Sequence, residues 1–495
     1  MGASWQSRAS SPPENRGLRR LEYGPIVAQP IMAENGTKLF GTDGIRARYG
    51  EEPLTPPILR RIGAAIAAVL DESPKQSRAK APRRVLIGRD TRPSGPEILD
   101  ALSAGLAQGG YSVYDLGVVT TPGVAYCVKN LGAASGIVIS ASHNPSQDNG
   151  IKIFGPDGFK LADELEEAIE RKLSALSNSN GAGASALRPA HEHVLAYRDH
   201  LEACARGVAG TSKPFAGMTL AIDCANGAAH ALAPAVFETL GAAVHPVACS
   251  GDGKRINEKC GALHPETLID TVLKTKADAG ITFDGDGDRV MLVSPGGAIL
   301  DGDHMLAALA RWLKAENALG APRIVGTVMA NIGLELALVE HGIELVRETV
   351  GDRYVVARML RDGLMLGGEQ SGHVIIFQRG STTGDGMFTA LNILSRLRRD
   401  GASLDDVAKQ VTRYPQILLN IPVKEKRPFD RMPAVVTAHQ RVNGELGKRG
   451  RVVLRYSGTE SLARVMVEGV AQDQIARCAG EIAEAIRREI GRDER

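Results

Sequence analysis

The stretch Ala279–Arg289, AGITFDGDGDR, decides the fold. Its first five residues, Ala279 to Phe283, are an apolar run that reads as a buried strand. An Asp-Gly loop follows at the carboxyl end, where α/β layers present their polar groups. In an extended chain successive side chains point to opposite sides, so Asp284, Asp286 and Asp288 face one way while the glycines between them let the backbone curve around an ion. At about 4 Å separation and an effective dielectric near 20, each like-charged pair repels by roughly 4 kcal/mol, so the cluster requires a cation. A hard, oxygen-seeking ion such as magnesium suits three carboxylates. An EF-hand is excluded, because that loop needs Gly at its sixth position and Glu at its twelfth, where this chain has Arg289 and Pro295.

Outward from this loop, from Lys38 onward, short β-rich runs alternate with amphipathic helical runs, the pattern of α/β layers built from βαβ units. At 495 residues the chain is too long for one core, and domains of roughly 100 to 200 residues give about three or four. The expected division is a disordered leader over 1–35 and domains over 36–185, 186–297, 298–415 and 416–495. In the first domain Ile58, Ile62, Ile66 and Leu70 recur as on one helix face, and Val85–Gly88 and Gly136–Ser140 read as strands. The segment Ser174–Pro189, SALSNSNGAGASALRP, has the small, polar, Gly-containing composition of a linker. The second domain opens with a strand over Met218–Cys224 and returns through Ala279–Phe283. The third holds a helix over His304–Glu316, a strand over Arg323–Met329, a hairpin around GGEQSGH at 367–373 and a helix over Asp385–Arg399. The last has a strand, the turn RYSGTE, another strand and a charged-faced helix from Gln472, an α+β arrangement. The fold class is therefore α/β in four domains: three similar mixed layers and a C-terminal α+β domain, around a cleft.

Charge excludes whole classes of function. Lys plus Arg is 59 against Asp plus Glu 57, without the basic excess that nucleic-acid or membrane-surface binding needs. No apolar run reaches the roughly 18 to 20 residues of a membrane span, and 43% hydrophobic with 23% charged residues is ordinary for a folded protein of the cytoplasm. The cysteines, at 127, 204, 224, 249, 260 and 478, form no CxxC pair and read as reduced core residues. Residues 1–31 are rich in Ser, Pro and Arg, lack a signal-peptide core, and have Gln6 where a myristoylation pattern needs Ser or Thr; Met32 is an alternative start.

A second segment carries chemistry. ISASHNPSQDNGIK, residues 139–152, again follows an apolar strand, a place where a nucleophile such as Ser142 would be held rigidly; taken alone, the segment also fits an ordinary polar turn. Asn144 and Pro145 favour a tight turn presenting its hydroxyl, His143 is its neighbour, and Lys152 supplies positive charge or a proton-transfer group. Near the C-terminus, Arg455, Ser457, Gly458, Thr459 and Arg464 make a basic, hydroxyl-rich loop able to bind phosphate. No GxxxxGK[ST] pattern is present, which disfavours a P-loop kinase.

GTDGIR (41–46), GRDTR (88–92), SASHNP (140–145), DGDGDR (284–289), GEQSGH (368–373) and RYSGTE (455–460) stand in the order found in the α-D-phosphohexomutase superfamily. From Lys38 to about Gly491 the chain resembles that superfamily, and within it the bacterial branch acting on glucosamine phosphates. The resemblance implies a four-domain, heart-shaped mutase that interconverts glucosamine 6-phosphate and glucosamine 1-phosphate, supplying UDP-N-acetylglucosamine. It implies phosphorylation of Ser142, one Mg2+ held by Ser142, Asp284, Asp286 and Asp288, and glucosamine 1,6-bisphosphate as intermediate and activator. Lys152, His143 and Arg46 are the further catalytic candidates. Arg289, Glu369, Ser371 and His373, with Arg455, Ser457, Gly458, Thr459 and Arg464, would bind substrate, and Gln370 is the feature pointing to the amino sugar. The partner implied is a small phosphosugar, with a homodimer and an activating kinase left open. A mannose or glucose mutase and a catalytically silent sugar-phosphate-binding homologue are the alternatives; a phosphatase using the same serine would release phosphate. Two positions depart from the family pattern: Ala47 replaces a usual glycine, which matters if the backbone there needs positive φ, and Ser461 replaces a usual proline.

Overall fold

The computed structural model describes residues 39–41, 43–72, 82–176, 187–457 and 461–492. The leader, residues 177–186 of the expected linker, and Gly458 and Thr459 lie outside them. The chain forms two compact units that divide between Tyr414 and Pro415.

The larger unit contains three sheets. The first has strands β1 (Ile45–Arg48), β2 (Arg84–Arg89), β3 (Ser112–Val118), β4 (Ser135–Ile139), β5 (Asp148–Phe154) and β6 (Leu187–Pro189), in the order β1-β5-β4-β2-β3-β6. Strands β2, β3, β4 and β6 run parallel, while β5 is antiparallel to both β4 and β1. Ile137 and Ile139 face a core with Ile62, Ile66 and Leu102, and Val138 faces a second with Val124 and Val128 on the other side. Burial on both faces explains why β4, SGIVI, reads as a continuous apolar run. Strand β6 pairs with β3, so the end of the expected linker is sheet rather than loop. Ala47 lies in β1 opposite Asn149, in extended backbone that suits any residue, so its departure from glycine carries no strain.

The second sheet contains β7 (Thr219–Asp223), β8 (Ala243–Val247), β9 (Ala279–Phe283), β10 (Val290–Val293) and β11 (Ile299–Leu300), ordered β11-β10-β9-β7-β8. The third contains β12 (Arg323–Thr327), β13 (Glu344–Glu348), β14 (Leu366–Gly368) and β15 (Val374–Ile376), ordered β13-β12-β14-β15. Each of the three has a parallel centre and one return strand that runs back antiparallel: β4 to β5, β9 to β10, and β14 to β15. Those three returns carry SASHNP, DGDGDR and GEQSGH. The chemical loops thus occupy one topological place, repeated three times, as the shared rhythm of the blocks suggested.

The smaller unit is an antiparallel sheet of β16 (Gln416–Pro422), β17 (Arg451–Tyr456) and β18 (Leu462–Glu468), ordered β16-β18-β17, covered by helices Pro433–Leu446 and Gln472–Ile490. Ile475, Cys478, Ile482 and Ile486 recur on the inner face of the latter helix. This is the α+β domain the sequence suggested. Among the described residues no helix is long and apolar enough to cross a membrane, and all six cysteines are unpaired.

Candidate active site

Ser142 is the first central residue of the turn that follows β4, closed by Asn144 N donating to Ala141 O at 3.1 Å. Its φ of 52° is left-handed, uncommon for a residue with a side chain and a mark of local strain held by its surroundings. Its N–H donates to Ser140 Oγ at 2.9 Å, and Ser140 in turn donates to Asp90 Oδ2 at 2.6 Å. Asp90 pairs with the wholly buried Arg92, whose guanidinium donates to the carbonyls of Ser142 (3.0 Å), Asn144 (2.8 Å), Asp148 (2.9 Å) and Pro145. Asn257 Nδ2, from the second sheet's side, donates to the Ser142 and Asn144 carbonyls at 2.9 and 3.0 Å. So held, the Ser142 hydroxyl donates to Asp284 Oδ2 at 2.6 Å and lies 3.3 Å from His143 Nδ1.

Asp284, Asp286 and Asp288 offer one oxygen each within 4.8 Å of one another, all buried. The loop achieves this as a turn rather than by strand alternation: Gly287 N donates to Asp284 O at 3.2 Å and Gly287 has φ 70°. The extended reading reached the right convergence through the wrong geometry. Gly285 permits the close approach, since a Cβ there would lie 2.4 Å from Ser142 O.

The acids are strongly polarised. Burial, then repulsion from Asp288 and Asp286, pushes the Asp284 pKa well above the usual carboxylate range. Burial also opposes charge on Asp288, but Lys152 and then His373 hold its pKa well below that range. Lys152 Nζ donates to Asp286 Oδ2 at 2.8 Å and Asp288 Oδ2 at 3.0 Å, and lies 3.3 Å from Asp43 Oδ2. Burial disfavours its charge, yet Asp286, Asp288 and Asp43 raise its pKa well above that of a free lysine. Asp286 Oδ1 and Asp288 Oδ1 are buried without a hydrogen-bond partner. Two idle carboxylate oxygens in a set of three converging acids fit a hard divalent cation, because a buried acceptor left unpaired is costly.

Around this core lie the remaining candidates of the larger unit. The backbone N–H of Arg289 donates to Asp284 Oδ1 at 3.2 Å, and its half-buried guanidinium interacts with Asp284, Asp288 and Glu369. Arg46 hydrogen-bonds Asp43. Burial, then Arg289 and Arg46, pushes the His143 pKa down to about 4, so this imidazole is neutral at pH 7. His373 Nδ1 is 3.6 Å from Asp288 Oδ1, and its Nε2 is 3.7 Å from Asp352 Oδ2. Glu369 accepts from Gly351 N at 3.1 Å, and the Ser371 hydroxyl is buried without a partner. The Gln370 amide donates to buried Asp303 at 3.1 Å.

Sequence reasoning passed over several members. Asp43, Asp90 and Arg92 sit inside quoted motifs, but a search for nucleophiles and metal ligands does not select them. Thr121, which donates to Asp286 Oδ2 at 2.6 Å, Asn257, and the Lys160 that pairs with Asp43 and Asp352 have no local signature.

In the smaller unit, Arg455 and Arg464 stand directly opposite each other on β17 and β18. Burial, then Arg464, lowers the Arg455 pKa, and Arg455 Nε is buried without a hydrogen-bond partner. Arg464 donates to Ser457 Oγ at 3.3 Å and Lys426 donates to Ser457 O at 2.7 Å. Like charges facing across a sheet are destabilising alone and are relieved by an anion.

Family models for phosphoglucomutase/phosphomannomutase match in order: α/β/α domain I over 37–180, domain II over 196–297, domain III over 301–414 and the C-terminal domain over 418–485. The chain is 44% identical to the phosphoglucosamine mutase of Symbiobacterium thermophilum over 459 residues, 92% of this chain and 99% of that one. It is 45% identical to that of Thioalkalivibrio sulfidiphilus, over 91% of this chain and 98% of the relative. Among solved structures, a phosphoglucomutase/phosphomannomutase family protein of Burkholderia thailandensis superposes with a TM-score of 0.72 at 24% identity, covering 91% of this chain and 97% of that one. The Aspergillus fumigatus N-acetylphosphoglucosamine mutase, solved with GlcNAc-6P and magnesium, gives 0.61 at 18% identity, covering 91% and 95%.

Proposed function

The chain belongs to the phosphoglucomutase/phosphomannomutase family, and we propose from that premise that it interconverts glucosamine 6-phosphate and glucosamine 1-phosphate through phosphoserine 142 and a 1,6-bisphosphate. The observation that carries this reading is the Ser142 hydroxyl 2.6 Å from Asp284 inside a buried acid triad, in a chain 41–45% identical to phosphoglucosamine mutases.

Starting from phospho-Ser142, the sugar O1 attacks phosphorus, the P–O bond to Ser142 breaks, and a new P–O bond forms at C1. The proton leaving the sugar hydroxyl is taken by a basic group of the site, and the serine oxygen recovers a proton as it departs. The bisphosphate then turns end for end, and its 6-phosphate passes to Ser142 by the same steps in reverse. Ser142, Asp284, Asp286 and Asp288 would hold Mg2+, which neutralises charge on the phosphoryl oxygens when bound. The chain's own residues do the rest. Arg46 and Arg289 place fixed positive charge beside Ser142 and His143. Lys152 and His143 are the proton-transfer candidates. Glu369, Ser371 and His373 are assigned to sugar hydroxyls, with the unpartnered Ser371 hydroxyl in support. Arg455, Ser457, Gly458, Thr459 and Arg464 are assigned to the phosphate that is not being transferred.

Ser142 would be loaded by autophosphorylation, by its bisphosphate product or by a kinase, and a phosphosugar substrate fits action in the cytoplasm. Peptide mass spectrometry should find phosphate on Ser142, and Ser142→Ala should lower kcat by at least about a thousandfold. Near-normal turnover by that variant refutes the assignment. A kcat/KM for mannose or glucose phosphates above that for glucosamine 6-phosphate refutes the choice of sugar.

A further inference from the structure

The hairpin that carries Glu369 and Ser371 is fastened to the interior through the residue between them. Gln370 donates from Nε2 to Asp303 Oδ2 at 3.1 Å, and its carbonyl accepts from Gly302 N at 3.0 Å. The two backbones meet closely enough that a Cβ on Gly302 would lie 1.9 Å from Glu369 O. Asp303 is 1% exposed, and the same Oδ2 accepts the backbone N–H of Asn331 at 2.7 Å. Asn331, equally buried, turns its side chain onto the last residue of the larger unit. Its Nδ2 donates to Tyr414 O at 2.9 Å, and its Oδ1 accepts from Tyr414 N at 3.1 Å and from Gly333 N at 2.9 Å. One amide side chain thus satisfies both backbone groups of Tyr414, as a neighbouring strand would.

We propose that Gln370 is a positioning residue, not a reader of the sugar, and that the relay Gln370–Asp303–Asn331 couples the setting of the Glu369–Ser371 hairpin to the backbone at Tyr414, where the chain passes into the C-terminal unit. The proposal rests on the reading that Glu369 and Ser371 hold the sugar. Its physical basis is the cost of leaving a buried carboxylate short of donors: movement of the hairpin that draws Gln370 from Asp303 weakens the acceptor shared with Asn331. By reciprocity, whatever fixes Tyr414 also fixes the hairpin. A Gln370 side chain oriented by Asp303 has its amide plane set by the protein before any sugar arrives. On this proposal Gln370 acts through the hairpin's setting and on all the sugars alike.

The test uses the full-length protein carrying Gln370→Leu, Asp303→Leu or Asp303→Asn. Because both donors meet one oxygen of Asp303, an asparagine oxygen can accept both and should rescue the relay. Two readouts are taken: KM and kcat for glucosamine 6-phosphate and glucose 6-phosphate, and hydrogen exchange of the Tyr414 amide. The expected result is that Q370L and D303L raise KM for both sugars by a common factor of about ten, leave kcat within about twofold, and speed Tyr414 exchange about tenfold, while D303N stays near wild type. A change in the glucosamine-to-glucose ratio of kcat/KM with Tyr414 exchange unaltered makes Gln370 a reader and overturns the proposal, as does exchange that does not respond to Q370L. Glu369→Gln serves as the control for the underlying reading: if it leaves KM unchanged, the sugar assignment fails, and the exchange measurements still decide the relay.

Discussion

Replacing Lys152 with methionine tests the electrostatic design of the site directly. The side chain keeps its reach and loses its charge, leaving Asp43, Asp286 and Asp288 facing one another without their shared ammonium. At 2.8, 3.0 and 3.3 Å and an effective dielectric near 20, the three attractions amount to roughly 6, 5.5 and 5 kcal/mol before the cost of burying the ions is set against them. That cost cancels most of the sum, and removing one partner of a buried pair typically destabilises by about 3–5 kcal/mol. For a unit of this size, a loss of that order lowers Tm by about 5 °C. Scanning calorimetry in EDTA should show the drop for K152M. Magnesium should then raise the variant's Tm more than the wild type's, because the acids that lost their ammonium gain most from a cation; saturation at a hundred times Kd contributes about 2.7 kcal/mol. A K152M protein as stable as wild type in EDTA, or one that magnesium does not stabilise further, refutes the view that Lys152 is the counter-ion of the triad.

Asn257→Leu removes the cross-module grip on the Ser142 and Asn144 carbonyls; kcat should fall about tenfold with KM nearly unchanged, since a strained φ is held less firmly, and an equal rise in KM contradicts a role confined to the serine. Arg455→Met should raise KM for sugar phosphates about tenfold or more while leaving phosphate on Ser142, read by mass spectrometry. Burial pushes the Asp385 pKa up to about 6, against the hydrogen bonds from Phe388 N and Tyr197 that lower it. The folded state therefore binds a proton that the unfolded chain releases near pH 4, so stability declines as pH rises through about 4 to 6, by about 3 kcal/mol in all. Asp385→Asn keeps an oxygen for Phe388 N and an N–H for the Tyr197 oxygen, so urea denaturation should find it gaining on wild type between pH 4.5 and 7.5; a constant difference refutes the titration.

Much of the fold was legible because its strands are apolar runs with abrupt ends. SGIVI, AGITF and LGG each stop at a polar loop, and burial on both faces leaves no alternation to confuse the period. The same sharpness exposed Ser142 and the three aspartates. What stayed hidden is charge pairing between distant segments. Lys160 meets Asp43 and Asp352, 117 and 192 residues away, and nothing in either neighbourhood records the partner. The strand at Leu187–Pro189 was hidden for a related reason, because a three-residue edge strand is fixed by the neighbour it pairs with rather than by its own composition. The partner of the Gln370 amide was hidden in the same way, because Asp303 lies 67 residues earlier.

The repeated topology explains why charge pairing took this form. Three layers each return one strand antiparallel and place a loop at the same point, one bearing Ser142, one the three aspartates and one Glu369, Ser371 and His373. A loop anchored at both ends by strands has little freedom, and the loops meet both through backbone groups, as in Val290 N donating to Gly372 O at 3.1 Å, and through side chains that reach across. Ser142 reaches Asp284, and His373 approaches Asp288. Beside these contacts, Lys152 and Lys160 tie the layers together by charge. Lys152 comes from the first layer and binds acids of the second. Lys160 comes from the first and binds Asp352 of the third. Both meet on Asp43, whose pKa, despite burial, they hold well below the ordinary range. A partly buried acid shared by two lysines, each tied to a different layer, makes the relative placement of the three loops a single electrostatic problem. Asp43 is thereby as much a determinant of the site's geometry as any residue that would touch the substrate.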